Sequence, residues 1–280
     1  LKTTVYTSDK RTHFFQELRG IFKDIMHSHF LAFQMAKRDL QSQYRQSFLG
    51  FFWAFAPIIT NSVVWIFLNN SGTVNVNGSE SIPYIPFVII GTTLWSIFNE
   101  VMMIPLTSVN SSRSLLSKIN FAKEALLISG VYKMLFNLFL KLILIIIILA
   151  IYGISPGSGI IYFPFFLLAV IVFSLSIGLL FTPIGLIYTD ISRFITTGVS
   201  FLMYITPVVY AVPKQGLFKK LFEINPLTYL FNDARNSLAG IATEHFIFTF
   251  IIIIFSFLLL MIGLVVFRKS MPIIIEKIAG

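Results

Sequence analysis

Residues 142–189 read LILIIIILAIYGISPGSGIIYFPFFLLAVIVFSLSIGLLFTPIGLIYT, forty-eight consecutive positions without a charge between Lys141 and Asp190. Crossing about 30 Å of hydrocarbon at 1.5 Å per residue takes about 20 apolar residues. The run is too long for one helix and suits two. The turn that divides them is Gly153-Ile154-Ser155-Pro156-Gly157-Ser158-Gly159, whose glycines and proline interrupt any helix. A short turn makes the two spans, near Ala125–Tyr152 and Ile160–Tyr188, a hairpin.

Four further stretches meet the same length test: Phe48–Leu68, Tyr84–Ser108, Phe194–Val212 and Phe246–Phe267. The expected fold is therefore an all-α integral membrane protein with six transmembrane helices. Composition agrees, with 56% hydrophobic residues, 12% charged and 31 phenylalanines in 280 residues, and a mean hydropathy of +0.84. A soluble domain carries about 25% charged residues. No internal repeat is evident, which argues against a pseudo-symmetric single-chain carrier.

The net charge of +9 reads as basic residues flanking spans on the cytoplasmic side and facing anionic lipid, with no nucleic acid as partner. Segments 1–46, 109–124, 190–193 and the tail from Arg268 hold fifteen Lys and Arg residues, against four (Lys214, Lys219, Lys220, Arg235) in the alternate connections. Both termini are thus expected in the cytoplasm of a multi-pass protein of the bacterial cytoplasmic (inner) membrane. The first 46 residues contain no uninterrupted apolar core of the signal-peptide kind. The chain divides into a cytoplasmic N-terminal region (1–46), a transmembrane domain (47–268) and a cytoplasmic tail (269–280).

Two segments are neither span nor simple loop. Phe14, Leu18, Ile21, Phe22, Ile25, His29, Phe33, Ala36, Leu40 and Tyr44 recur at three- and four-residue intervals with charges between them. That pattern predicts an amphipathic helix at the cytoplasmic interface, either a membrane anchor or a surface for a soluble partner. In 213–245, Leu217, Phe218, Leu221 and Phe222 share one side of a short helix, and Asn225-Pro226 starts a second one with a capping side chain and a proline at its first position. Gly240 ends it. Each helix is too short to cross, so the two read as a re-entrant pair, or alternatively as an external helical cap.

Charges inside spans are costly, about 2.5 to 3.5 kcal/mol for a lysine at the bilayer centre. Lys133, Asn137 and Lys141 stand four residues apart and share a helix face. Counted from the ends of the intervening loop, Glu100 and Lys133 lie at similar depth, and an intramembrane ion pair is expected between them. Lys141 has no evident partner and is a candidate for contact with an anionic part of a translocated substrate. Ser174, Gly178 and Thr182 form a small-residue stripe that permits close helix approach, within the chain or between copies. Trp53, Trp65, Trp95, Tyr204 and Tyr210 lie in or near spans as interface anchors or as channel lining. The channel-lining candidates are Trp65, Trp95, Phe98, Lys141, Tyr204 and Tyr210.

Common catalytic signatures are absent from the sequence. No glycine precedes a lysine anywhere, which excludes G-x-x-x-x-G-K-[ST] and any P-loop ATPase activity in this chain. There is no G-x-S-x-G and no cysteine, and the pair His27 and His29 lacks further ligands at metal-site spacing. No catalytic residue, metal or cofactor is expected in the chain.

The stretch Arg38-Asp39-Leu40-Gln41-Ser42-Gln43-Tyr44-Arg45-Gln46-Ser47-Phe48-Leu49-Gly50-Phe51-Phe52-Trp53, followed by Pro57, resembles R-D-L-x-x-x-Y-x-x-S-x-L-G-x-x-W. That is the lead into the first span of the permease subunit of bacterial ABC exporters for polysaccharides (O-antigen, capsule or teichoic acid). Weaker matches are Gly91, Trp95, Asn120-Phe121 with Lys123-Glu124, and Asn225-Pro226 with Arg235. Gln41 and Gln43 stand where basic residues are common in that family, and Ala122 replaces a frequent proline.

The resemblance implies a homodimer of this chain working with two copies of a separate P-loop ATPase, which binds ATP and Mg, to move a lipid-linked polysaccharide. It implies ATPase coupling through Arg38, Asp39, Arg45, Arg113, Lys118 and Asn120, with the segment 109–124 as a coupling element. It makes Asn225, Pro226, Tyr229 and Arg235 positions of an external gate in 213–245. Two alternatives stand beside it: an ABC permease for a small lipid or drug, and an ATP-independent flippase or membrane enzyme for lipid-linked sugars.

Overall fold

The computed structural model describes residues 14–45, 50–74, 81–116, 118–213 and 215–279. Among these no strand occurs. Helix α1 (Phe14–Arg45) is a single unbroken helix, and a 3-10 turn at Gly50–Ala54 leads into α2 (Ala56–Asn70). There follow α3 (Tyr84–Ser111), α4 (Arg113–Leu116), α5 (Glu124–Ile151), a 3-10 turn at Gly157–Ile161, α6 (Phe163–Ile187) and α7 (Thr189–Leu202). A 3-10 turn at Met203–Ile205, α8 (Leu217–Ile224), α9 (Pro226–Leu238) and α10 (Phe246–Ala279) complete the chain.

Among the described residues four helices are long and apolar enough to cross a membrane: Tyr84–Ser111, Glu124–Ile151, Gly157–Ile187 and Phe246–Lys277. They correspond to four of the six expected spans, including the hairpin. In the other two places the helices are shorter, α2 with 15 residues and α7 with 14. Phe48, the expected start of the first span, lies outside the described residues, as does Lys214. Over the fifth expected span the helix stops at Leu202. Thr206 is extended (φ −120°, ψ 139°), the conformation that Pro207 imposes on the residue before it.

The tail boundary at 269 falls inside a helix. α10 runs through it for 34 residues, with Pro272 accommodated, because Met271 and Ile274 are buried against α1, α4 and α6 side chains such as Ile21, Leu116 and Leu186.

α3 is the enclosed centre, packed by α2, α5, α6 and α9. Its contact with α6 depends on Gly178, since a Cβ there would collide with the Met102 carbonyl oxygen. Ser174 and Thr182, buried on the same stripe, return their hydroxyls to their own helix at Val170 O and Gly178 O. At Gly178, the small-residue stripe serves packing within the chain.

α1 packs beside α5 and touches α10. Its apolar positions divide between two faces. Ile21, Ala32, Met35 and Ala36 are buried, while Phe15, Phe22, Met26, Phe30 and Phe33 are exposed, with exposed Arg19, Lys23 and Lys37 at neighbouring turns of that side. An apolar stripe edged by cations suits a lipid interface.

Candidate functional site: polar seam, coupling end and aromatic corner

Three groups of side chains carry the sequence-derived site residues. The first is a polar seam between α1, α3 and α5. Lys133 Nζ donates to Asp39 Oδ2 at 2.9 Å, and Arg38 donates to Asp39 Oδ1 through Nη2 at 2.7 Å and Nε at 3.1 Å. One turn along α5, Tyr44 Oη donates to Asn137 Oδ1 at 3.2 Å. Asn137 Nδ2 donates to Glu100 Oε1 at 2.6 Å, and Lys141 Nζ to Glu100 Oε2 at 2.5 Å.

Two expectations are corrected here. Lys133 pairs with Asp39, and Glu100 pairs with Lys141. Depth counted from the loop ends places α5 about a turn out of register. Gly130 lies against Ile104 and Ser108, which brings Asn137 and Lys141 opposite Glu100 and leaves Lys133 to α1. Lys141 is also no free cation in a path, being 3% exposed and bound to Glu100. A buried ammonium needs such a partner.

The second group lies at the far end of α3. Exposed Arg113 grips Asn110 Oδ1 with Nη2 at 2.8 Å and Nε at 3.0 Å. Lys118 and Asn120 are exposed, and Asn120 Oδ1 accepts from Lys123 Nζ at 3.1 Å. Beside α4 opens a recess of about 640 Å³ lined by Arg113, Leu186, Tyr188, Asp190, Ile274 and Lys277. Lys277 Nζ donates to Ile187 O at 2.6 Å, tying α10 to the α6–α7 turn. Arg38, Asp39 and exposed Arg45 stand apart from this recess, on the part of α1 that meets the middle of α5.

Sequence reasoning missed a junction at this end. Arg268 on α10 binds Asp24 Oδ2 at 2.8 Å, Glu124 Oε1 at 3.1 Å and Glu17 Oε2 at 3.3 Å, joining three helices through one guanidinium. The available signal was Glu17 and Asp24, seven residues apart on one face of α1.

The third group surrounds residues 205–208, where the backbone leaves α7. Asn225 caps α9, its Oδ1 accepting from Leu227 N at 3.0 Å, and Pro226 follows at the first position. Asn225 Nδ2 donates to Ile205 O at 3.0 Å and Thr206 Oγ1 at 2.9 Å. Arg235 Nη2 donates to Pro207 O at 2.8 Å and Val208 O at 3.0 Å, with the guanidinium over the Phe87 ring at 3.6 Å. A Cβ at Gly91 would strike the Val208 carbonyl oxygen. Tyr229 Oη donates to Glu223 O at 2.8 Å, and its ring lies 4.4 Å from that of Phe248 on α10.

The channel-lining candidates separate by burial. Trp95 (7% exposed) and Phe98 (1%) are core residues packed against each other with tilted rings, and Trp95 also meets Phe231 edge-on; the helices packed around α3 close off both. Trp65, Tyr204 and Tyr210 stand together at the surface, the indole 6.4 Å from Tyr204 and 6.3 Å from Tyr210. Tyr210 Oη donates to Tyr204 O.

The profile of the ABC-2 type transporter family matches residues 31–239. The chain belongs to the ABC-2 type transporter family. The matched stretch of this ABC-2 type transporter runs from within α1 to the end of α9, so it includes the polar seam, α4 and the 205–208 corner. It is similar to an "O-antigen export system permease protein RfbA" of Myxococcus xanthus, 26% identical over 204 residues covering 71% of this chain and 76% of the relative. Two proteins of the same name from Klebsiella pneumoniae are 22% and 24% identical over 240 and 241 residues, each covering 84% of this chain and 90% of the relative.

Proposed function

We propose that this ABC-2 type transporter is the permease subunit of an ATP-driven exporter that moves a lipid-linked polysaccharide, of O-antigen, capsule or teichoic acid type, across the bacterial cytoplasmic membrane. The observation that carries the reading is the similarity, over most of their length, to relatives named as O-antigen export permeases. The chain has no P-loop, so ATP and Mg are bound by a separate ATPase, two copies with two copies of this chain. In this reading α2 and α7, with their 3-10 turns, complete six spans, and α8 and α9 form a re-entrant gate facing outward. The basic segments and both termini face the cytoplasm, in keeping with the excess of Lys and Arg there.

The segment 109–124, with Arg113, Lys118 and Asn120 exposed, seats on the ATPase, and its movement reaches the bundle through the recess shared with the α6–α7 turn and α10. Arg38 and Arg45 lie toward the cytoplasmic entrance, where a guanidinium suits a carrier's pyrophosphate. Trp65, Tyr204 and Tyr210 offer flat faces to successive sugars, weak enough to release each one.

The test is co-expression with a neighbouring-gene ATPase and reconstitution into proteoliposomes. A stoichiometric complex that translocates the lipid-linked polymer only with ATP is expected, and Arg113→Glu should lower transport at least tenfold with membrane insertion unchanged. Transport by the lone chain without nucleotide overturns the reading.

A further inference from the structure

The corner after α7 presents three carbonyl groups, those of Ile205, Pro207 and Val208, in a place where 206–209 are buried. Buried carbonyls require partners. Each of the three is met by a side chain of the α9 segment, Ile205 by Asn225 Nδ2 and the other two by Arg235 Nη2. Thr206 Oγ1 also accepts from Asn225 and donates to Leu202 O at 2.8 Å, tying the corner back to the end of α7. Beside Arg235 Nη2 the Val208 carbonyl also abuts Gly91 on α3, where a Cβ would collide with both the carbonyl oxygen and that nitrogen.

Flanking this corner in the chain are Tyr204 and Tyr210, whose rings both contact that of Trp65, one tilted and one edge-on. Tyr204 is 54% exposed and Trp65 is half-buried. Behind them Arg235 is 1% exposed, its Nε and Nη1 have no partner in the described structure, and its plane rests on Phe87. A planar guanidinium can reach two carbonyls while stacked on a ring; an ammonium is a point donor without that plane.

We propose that Asn225 and Arg235 are positioning residues for a pyranose-stacking site made by Trp65, Tyr204 and Tyr210. They fix the 205–208 corner, and through it the distance of both tyrosines from the indole. The inference rests on the reading of the chain as a polysaccharide permease only for its ligand; the positioning itself does not depend on it.

The test is ¹⁹F NMR of the full-length protein in nanodiscs, labelled with 5-fluorotryptophan. The chain has three tryptophans, and Trp65→Phe assigns the resonance of interest. Arg235→Lys and, separately, Asn225→Asp, which keeps the capping oxygen and removes the donor, should each move or broaden the Trp65 signal while that of Trp53 stays in place. Maltohexaose, as a soluble pyranose probe, should shift the Trp65 signal of the unsubstituted protein, and both variants should raise its half-saturation by about tenfold. If both variants leave the Trp65 signal unmoved without sugar, the positioning role is overturned. If the signal responds to the variants and not to maltohexaose, the sugar site is overturned and the fault lies with the polysaccharide reading. Should Arg235→Lys fail to fold, Asn225→Asp decides the first point alone.

Discussion

Glu100 on α3 holds Lys141 on α5 at 2.5 Å, and the same carboxylate takes a hydrogen bond from Asn137. Charged groups on two helices are thereby neutralised in a segment where water is scarce, and the register of α3 on α5 is fixed. Lys141→Met should cost about 2 kcal/mol, at the low side for a broken buried pair because Glu100 remains 26% exposed. Adding Glu100→Gln should recover most of it. Thermal unfolding of both single variants and the double variant in detergent gives the coupling, and strict additivity would show that the pair is not the source.

Asp39 links α1 to α5. Burial raises its carboxyl pKa, but Lys133 and Arg38 outweigh that and hold it below the ordinary 3.8. A lowered aspartate stabilises above its unfolded value and loses that contribution as pH falls through the folded one. Amide exchange in the C-terminal half of α1 should therefore accelerate only below pH 3.8. Asp39→Asn should accelerate it at neutral pH, at a cost of about 1 kcal/mol, and should flatten the acid response.

Arg268 faces three carboxylates, and its removal leaves Glu17, Asp24 and Glu124 to repel one another. Arg268→Ala should destabilise by about 3 kcal/mol and release the N-terminal half of α1 to proteolysis. Arg268→Lys should restore only part, since one ammonium cannot reproduce the fork. Glu124→Gln in the alanine background should raise the thermal midpoint again.

Gly178→Ala places a methyl group on the Met102 carbonyl oxygen. Overpacking of that kind costs about 1 to 3 kcal/mol. Ser174→Ala, which removes only a bond to the helix's own Val170 carbonyl, should change the melting temperature little. Equal effects of the two would remove the close-approach argument.

Much of this architecture was legible in the residues. The uncharged run at 142–189 announced a hairpin because length and hydropathy are properties of the chain itself. Asn225-Pro226 marked the start of α9 to the residue because capping is local. The partner of Lys133 was not legible, since it depends on how far α1 travels along α5, and nothing in α5 encodes that. Trp95 and Trp65 are alike in sequence context, both aromatic residues in apolar helices, yet one is enclosed by four neighbours and the other is half-open. The charges at Arg268 and Lys269 suggested the end of a span, and α10 passes them because Met271 and Ile274 find an apolar groove.

That continuity has a mechanical consequence. α10 is an unbroken rod of 34 residues, about 51 Å at the α-helical rise. Its Phe246 ring is stacked on Phe165 at one extremity and its Lys277 is anchored to the Ile187 carbonyl at the other. Pivoting such a strut by about 5° about its midpoint sweeps each extremity through roughly 2 Å by geometry alone, in opposite directions. A displacement of the Lys277 end would thus reach the Phe246 end as leverage, with no need for any peptide in between to change its conformation.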